Sequence, residues 1–119
     1  MDRSSDKPIT IEANPHRVRV LFSGHVVADT TRALTLKETG LPPVQYVPRE
    51  DADMSLLQRT SNKSHCGYKG DAAYYTIRTE SRTAENAVWT YEAPFPAVAA
   101  IRGYLAFYPD RVDSIEEVP

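Results

Sequence analysis

The stretch Ser64–Gly70 gathers much of the chain's reactive chemistry into seven residues. It contains the single cysteine, Cys66, together with His65, Lys69 and two of the five glycines. Glycine allows a tight turn or the close approach of a ligand to the backbone, and an ammonium group near a thiol favours the thiolate. We therefore predict a functional site at this turn, which leads directly into an extended segment.

Cys66 is the sharpest candidate for catalysis. As a nucleophile or redox thiol it would use Lys69 to favour the thiolate and a histidine as its base. His65 is poorly placed for that role, because adjacent side chains in an extended chain point apart. His16 or His25 would have to be supplied by the first hairpin. The alternative is that Cys66 is a small, half-buried residue of a tight turn.

Lys69 and Arg49 form a second candidate site for ligand binding. Arg49 would act as a bidentate fork and Lys69 as a point charge, which together suit a carboxylate or a phosphate. The apolar wall of this pocket is predicted to include Tyr46, Tyr68, Tyr75 and Trp89. Alternatively, the two cations are structural and pair with carboxylates of the neighbouring turns.

Metal and phosphate chemistry have little support in the residue pattern. One cysteine excludes an internal disulfide and a cysteine-rich zinc site, and the three histidines have no short ligand spacing, so we predict no metal and no cofactor. Gly67 and Gly70 lead into a strand, whereas a phosphate-cradling loop opens a helix. Carboxylate pairs such as Asp29 with Glu38 are expected to be solvated surface charges. The aromatic residues expected in the core are Trp89, Tyr91, Phe95, Phe107 and Tyr108.

Composition narrows the class of protein further. A chain of 119 residues suits one domain. Fourteen Lys and Arg face sixteen Asp and Glu, and no half of the chain is strongly basic, which argues against a nucleic-acid surface. The first residues are polar and no apolar run reaches membrane-spanning length. We therefore expect a cytoplasmic protein without nucleic-acid or membrane partners.

Hydrophobic periodicity predicts a β-rich α+β domain. Arg17–Phe22 alternates with a period of two, and the dipeptide Ser23-Gly24 favours a hairpin turn. Further strands are expected at 26–29, 34–36, 44–47, 72–78, 86–91, 104–108 and 112–115. Short helices are predicted from Asp51, which can cap the first turn, and over Pro96–Arg102. The prediction is seven or eight strands with two helices in one domain, residues 9–119, after a flexible lead-in, residues 1–8.

Four stretches, in this order and spacing, resemble a bacterial family, the domain-of-unknown-function family numbered 427: Tyr46–Asp51, Ser64–Tyr75, Asn86–Tyr91 and Ile101–Tyr108. The resemblance implies a β-tent-like fold similar to zinc-binding Yippee and cereblon-type domains, here without their paired cysteines. The family usually has proline after the motif cysteine, where this chain has Gly67.

These observations together predict an uncharacterised domain that binds a small molecule or an anion beside the Ser64–Gly70 turn. The binding residues would be Arg49, Cys66, Lys69, Tyr46, Tyr68 and Tyr75. One alternative is an enzyme that uses Cys66 or Lys69, including the nucleotidyltransferase-like activity with which the family is labelled. Another is a module that self-associates through an exposed strand edge.

Overall fold

The computed structural model describes residues 8–119, so the predicted lead-in lies, apart from Pro8, outside the described residues. Ten β-strands account for most of this part of the chain. In chain order they are β1 (Ile9–Ala13), β2 (Arg17–Phe22), β3 (His25–Thr30), β4 (Leu34–Glu38), β5 (Val44–Tyr46), β6 (Leu57–Cys66), β7 (Gly70–Arg78), β8 (Thr83–Tyr91), β9 (Leu105–Phe107) and β10 (Ser114–Val118). The β-rich prediction is confirmed, but with more strands than expected.

The strands form three antiparallel sheets. Their orders are β1-β4-β5, β10-β2-β3 and β6-β7-β8-β9. Val47 and Leu105 exchange two backbone hydrogen bonds of 2.8 Å, which join the three-stranded sheet of β1, β4 and β5 to the four-stranded sheet. The Asp53 N–H donates to the Val27 carbonyl oxygen at 2.7 Å and attaches the sheet of β2 and β3 to the segment before β6. The three sheets are thus tied together by main-chain contacts.

Two hydrophobic clusters fill the space between the sheets. The Phe22 cluster includes Val20, Val27, Tyr75, Ile77 and Val88, and the Tyr46 cluster includes Leu36, Tyr74, Tyr91, Ile101 and Ala106. Successive side chains of a strand point to opposite faces, so Tyr74 and Tyr75 on β7 belong to different clusters. The four-stranded sheet therefore lies between the two hydrophobic clusters, with one cluster on each face.

The two predicted helices are absent. Their segments form short 3₁₀ turns at Arg49–Asp51, Met54–Leu56 and Pro96–Ile101, the last with non-helical backbone at Val98. Helices shorter than about 12 residues are marginal without tertiary support. Here the Asp53 carboxylate accepts the Ser55 N–H at 3.1 Å and caps a single turn, after which strand pairing takes over. The capping residue is present, but only a three-residue turn follows it, which is too short to form an α-helix.

β6 was the main strand missed by the sequence prediction. β6 occupies the residues in which the sequence predicted the end of the first helix, then a break in regular structure, and then the start of the turn. β6 lies at the edge of its sheet and most of its side chains are exposed. Because neither face is strongly buried, its sequence shows no alternation of apolar and polar residues. The shorter β1 was also missed, although Ile9 and Ile11 pack against the Tyr46 cluster.

The turn between β6 and β7 has the tight geometry that its glycines predicted. The Lys69 N–H donates to the Cys66 carbonyl oxygen at 3.2 Å, and the Lys69 carbonyl accepts the Phe95 N–H at 2.9 Å. Gly70 has a φ of +114°, whereas Gly67 has open space around the position of a Cβ. Gly70 is therefore the glycine on which the turn depends.

We predict that Gly70→Ala lowers the free energy of unfolding by about 1–3 kcal/mol, because a side chain rarely adopts this φ. The added Cβ would be 3.4 Å from the Ala93 carbonyl oxygen, an ordinary contact, so backbone strain is the cause. Gly67→Ala is the matched control and should change the value by about 0.5 kcal/mol or less. Urea denaturation of both variants is the measurement. Equal losses of unfolding free energy in the two variants would contradict the role assigned to Gly70.

Candidate functional site

A cavity of about 290 Å³ lies beneath the turn, between the four-stranded sheet and the sheet of β4 and β5. Its wall combines aliphatic side chains, five aromatic rings and two charged groups. Pockets for drug-sized ligands span about 300–1,000 Å³, so this cavity suits a compact molecule. Among three hollows in residues 8–119, it is the one that has a buried charge in its wall.

The charged groups are Lys69 and Glu38, which form a buried ion pair. Lys69 Nζ donates to Glu38 Oε1 at 2.8 Å, and their side chains are only 11% and 6% exposed. Buried charges are strongly unfavourable unless paired, so each partner requires the other. The pair is electrically neutral as a unit, and it meets the cavity directly.

Local structure explains how the two residues meet. Glu38 ends β4 and shares a strand face with Leu36, because side chains two apart point the same way. That face is buried, and it carries Glu38 inward with it. Lys69 is fixed from the other side by the backbone hydrogen bonds of the turn. The β6–β7 turn and the end of β4 are distant in sequence, but they bring the two opposite charges into contact.

An aromatic group forms one side of the cavity. The rings of Tyr46 and Trp89 meet edge to face, with centroids 6.3 Å apart, and Trp89 Nε1 donates to the Tyr46 hydroxyl at 3.3 Å. Tyr108 lies on Trp89 with a centroid distance of 4.4 Å. Such surfaces favour flat, apolar ligand groups.

The hydroxyl groups of the wall differ in how they are satisfied. Tyr74 shares a hydrogen bond of 2.8 Å with Ser64 and a longer one of 3.5 Å with Tyr108. Tyr91 is only 7% exposed and lines the cavity. Its hydroxyl is not among the buried side-chain atoms of residues 8–119 that lack a hydrogen-bond partner. The Tyr91 hydroxyl can therefore donate to water or to a bound molecule in the cavity.

Burial keeps these hydroxyls protonated at neutral pH. Loss of solvation raises the pKa of Tyr46 to about 12 and that of Tyr108 to about 12. Burial also raises the pKa of Tyr91, and the neighbouring Tyr46 adds to the effect. The wall thus offers neutral phenol donors to a bound molecule, not phenolate anions.

Cys66 lies at the margin of this arrangement. It is half-buried, and its Sγ is 3.5 Å from Lys69 Nζ. His65 turns outward to Asp71 at 2.6 Å, and His25 pairs with Glu80 at 3.0 Å. No histidine of residues 8–119 forms a hydrogen bond with Cys66, and no cluster of three or more metal-ligating side chains occurs there.

The six predicted binding residues divide between separate places. Lys69 and Tyr46 line the cavity, and Cys66 contacts Lys69. Arg49 instead donates to the Tyr75 hydroxyl at 2.7 Å, with its guanidinium 5.5 Å from that ring's centroid. Arg49 therefore lies against Tyr75 and is not among the residues that line the cavity beside Lys69.

The reason is the direction of the side chains on β7. Tyr75 faces the Phe22 cluster, whereas the cavity borders the Tyr46 cluster. The remaining predicted residue, Tyr68, is half-buried in the turn and is not part of the cavity wall. Tyr68 and Tyr75 are close to Lys69 in sequence, but neither residue lines the cavity.

Sequence reasoning missed the most important partner, Glu38. Its expected solvated position is wrong, since the residue is only 7% exposed. The alternation of Leu34, Leu36 and Glu38 on one strand face was the available signal. Tyr91 is buried as expected, and it lines the cavity together with half-buried Trp89, which was predicted in the wall. Tyr74 was not predicted as a site residue, and Ser64 was predicted only as a member of the turn. Phe95 was expected in the core but is 40% exposed.

The fold and the cavity define a β-rich domain built from three antiparallel sheets, with a charged and aromatic hollow beside the β6–β7 turn. A family model described as Domain of unknown function (DUF427) matches residues 10–118. The chain belongs to this family, as its motifs predicted. No curated protein matches it. Within residues 8–119, no helix has the length and hydrophobicity needed to cross a membrane.

We predict that Lys69→Met and Glu38→Leu each lower the free energy of unfolding by about 3–5 kcal/mol, because each leaves one buried charge unpaired. The double variant should recover most of this loss, since it removes both charges. Urea denaturation of the three variants measures the coupling.

The exposed pair Arg59–Glu92, at 2.7 Å, provides the matched control. Arg59→Met should lower the free energy of unfolding by no more than about 1 kcal/mol. Small, additive losses for Lys69 and Glu38 would contradict a buried, coupled pair.

We also predict that stability falls between pH 10 and pH 12, the ordinary and the raised pKa of Tyr46. In this window the unfolded chain releases the phenol proton while the folded chain retains it, so rising pH favours unfolding. Tyr46→Phe removes that contribution and should make the decline shallower. Urea denaturation at several pH values is the measurement, and an unchanged slope would contradict the burial of this hydroxyl.

Proposed function

We propose that this domain binds a compact, neutral small molecule in the cavity beside Lys69. The ligand's flat apolar part contacts Trp89 and Tyr108, and its polar group meets the pair of Lys69 and Glu38. The observation that carries the proposal is a buried ion pair in the wall of an aromatic cavity that Tyr91 also lines. The arrangement of three small antiparallel sheets also supports the tent-like fold.

The polar groups of the wall, with Tyr91 among them, distinguish this cavity from a packing defect, because empty cavities in proteins are normally apolar. Water can accept a hydrogen bond from the Tyr91 hydroxyl in the free protein, and a ligand oxygen that accepts the same hydrogen bond would replace it. The cavity is therefore suited to a molecule that carries an oxygen acceptor.

Charge balance favours a neutral ligand over the anion that the sequence also predicted. The charge of Lys69 is already matched by Glu38 at 2.8 Å. An anion that drew Lys69 away would leave Glu38 buried and unpaired, at a cost of about 3–5 kcal/mol. A neutral molecule with both an acceptor and a donor interacts with the pair without breaking it.

Self-association through β6 is the second candidate function. β6 is a ten-residue edge strand, and such edges can pair with another chain. However, its register shifts between Arg59 and Lys63, and bulges and charges on an edge strand oppose pairing. The cavity therefore carries the stronger proposal.

Trp89 is the chain's only tryptophan, so its fluorescence reports directly on the cavity. We predict that neutral aromatic amides and alcohols, such as benzamide and benzyl alcohol, change this fluorescence and raise the melting temperature. Inorganic phosphate should do neither. Binding of phosphate alone would contradict the neutral-ligand proposal, and no binding by any probe would contradict the function.

Two variants test the placement of the site. Tyr91→Phe keeps the ring but removes the hydroxyl donor, so affinity should fall by about 2- to 10-fold. Arg49→Ala is the control, because Arg49 contacts Tyr75 on the other side of the sheet. Loss of binding in Arg49→Ala with unchanged binding in Tyr91→Phe would place the ligand elsewhere.

A further inference from the structure

Lys69 is the one buried lysine among residues 8–119, whereas Lys37 and Lys63 are exposed, and of these three only Lys69 lines the aromatic cavity. A structural ion pair needs no such cavity. A primary amine, an adjacent carboxylate and enclosed space are, however, the components of covalent chemistry with a carbonyl group. The proposed binding of a neutral molecule leaves this nucleophile unused.

We propose that the ligand is a small aldehyde or ketone, and that Lys69 Nζ joins its carbonyl carbon as an imine. This inference rests on the proposed function, since it concerns the same cavity, and it narrows the ligand to one chemical class. An aldehyde with an aromatic or other flat apolar body meets the size and wall chemistry of the cavity.

Glu38 is placed to move the protons of this reaction. Its Oε1 accepts a hydrogen bond from Lys69 Nζ at 2.8 Å, a distance suited to proton transfer. Glu38 takes one proton from the ammonium group, and the free amine forms a bond with the carbonyl carbon. The carbonyl electron pair moves to oxygen, which acquires a proton released by the nitrogen. This gives a carbinolamine.

Loss of water completes the step. Glu38 returns its proton to the hydroxyl group, the carbon–oxygen bond breaks, and the nitrogen lone pair forms the double bond. The ammonium group and the carbonyl compound thereby become a protonated imine and one water molecule. The positive charge remains on nitrogen beside the Glu38 carboxylate, so no buried charge loses its partner.

The rest of the wall supports this chemistry. The Tyr91 hydroxyl is a protonated donor in the same wall and would polarise the carbonyl oxygen. Trp89 and Tyr108 hold apolar surface against the ligand. Restricted access of water slows hydrolysis of the imine.

Reductive trapping with benzaldehyde and sodium cyanoborohydride tests the inference. The reductant converts an imine into a stable secondary amine, and peptide mass spectrometry identifies the modified lysine. We expect Lys69 to be labelled about tenfold faster than Lys37 and Lys63, because bound benzaldehyde is held beside its amine. Labelling of Lys69 at or below the rate of the exposed lysines would overturn the proposal.

Variants separate the roles of the neighbouring groups. Lys69→Arg keeps a cation beside Glu38 but cannot form an imine, so labelling at this position should vanish in a variant whose melting temperature shows that it is folded. Glu38→Gln should slow labelling about a hundredfold. Cys66→Ser should label normally, and its loss of labelling would assign the reaction to the thiol. If Glu38→Gln does not fold, Lys69→Arg and Cys66→Ser still decide the question.

The experiment also separates this inference from the proposed function. If benzaldehyde and benzyl alcohol change Trp89 fluorescence while Lys69 stays unlabelled, the cavity binds neutral molecules and the imine is wrong. If neither probe changes the fluorescence and Lys69 is unlabelled, both proposals fail.

Discussion

The site depends on one interaction, the buried ion pair of Lys69 and Glu38. It connects the turn before β7 to the end of β4, and so fixes the position of one sheet relative to another. Neither charge is tolerable there alone. Because the pair is neutral as a unit, the ligand that we propose is polar and uncharged and leaves the pair intact.

The four-stranded sheet is the second constraint, because both of its faces are buried by different partners. One face of β7 and β8 supplies Tyr74 and Tyr91 to the cavity, and the other supplies Tyr75 and Val88 to the Phe22 cluster. Residues that are adjacent in sequence on this sheet therefore contact different clusters. Arg49 contacts Tyr75 on the face of the Phe22 cluster, away from the cavity.

Strands with a buried and an exposed face were predictable, as β2 shows, because their alternation is visible in sequence. β6 was not, since an exposed edge strand lacks that alternation. The composition of the Ser64–Gly70 turn drew attention to Lys69, but Lys69 pairs with Glu38, which lies 31 residues earlier in the chain. The alternation in β4 could have placed this carboxylate on the buried face, but only tertiary packing shows that the face meets Lys69.

The most direct test of the account is a crystal structure of the protein soaked with benzamide. Density for the ligand is predicted between Trp89 and Lys69, with its amide within hydrogen-bond distance of the Tyr91 hydroxyl and of the intact pair of Lys69 and Glu38. A ligand bound against Arg49 and Tyr75, or bound only where Lys69 has left Glu38, would contradict it.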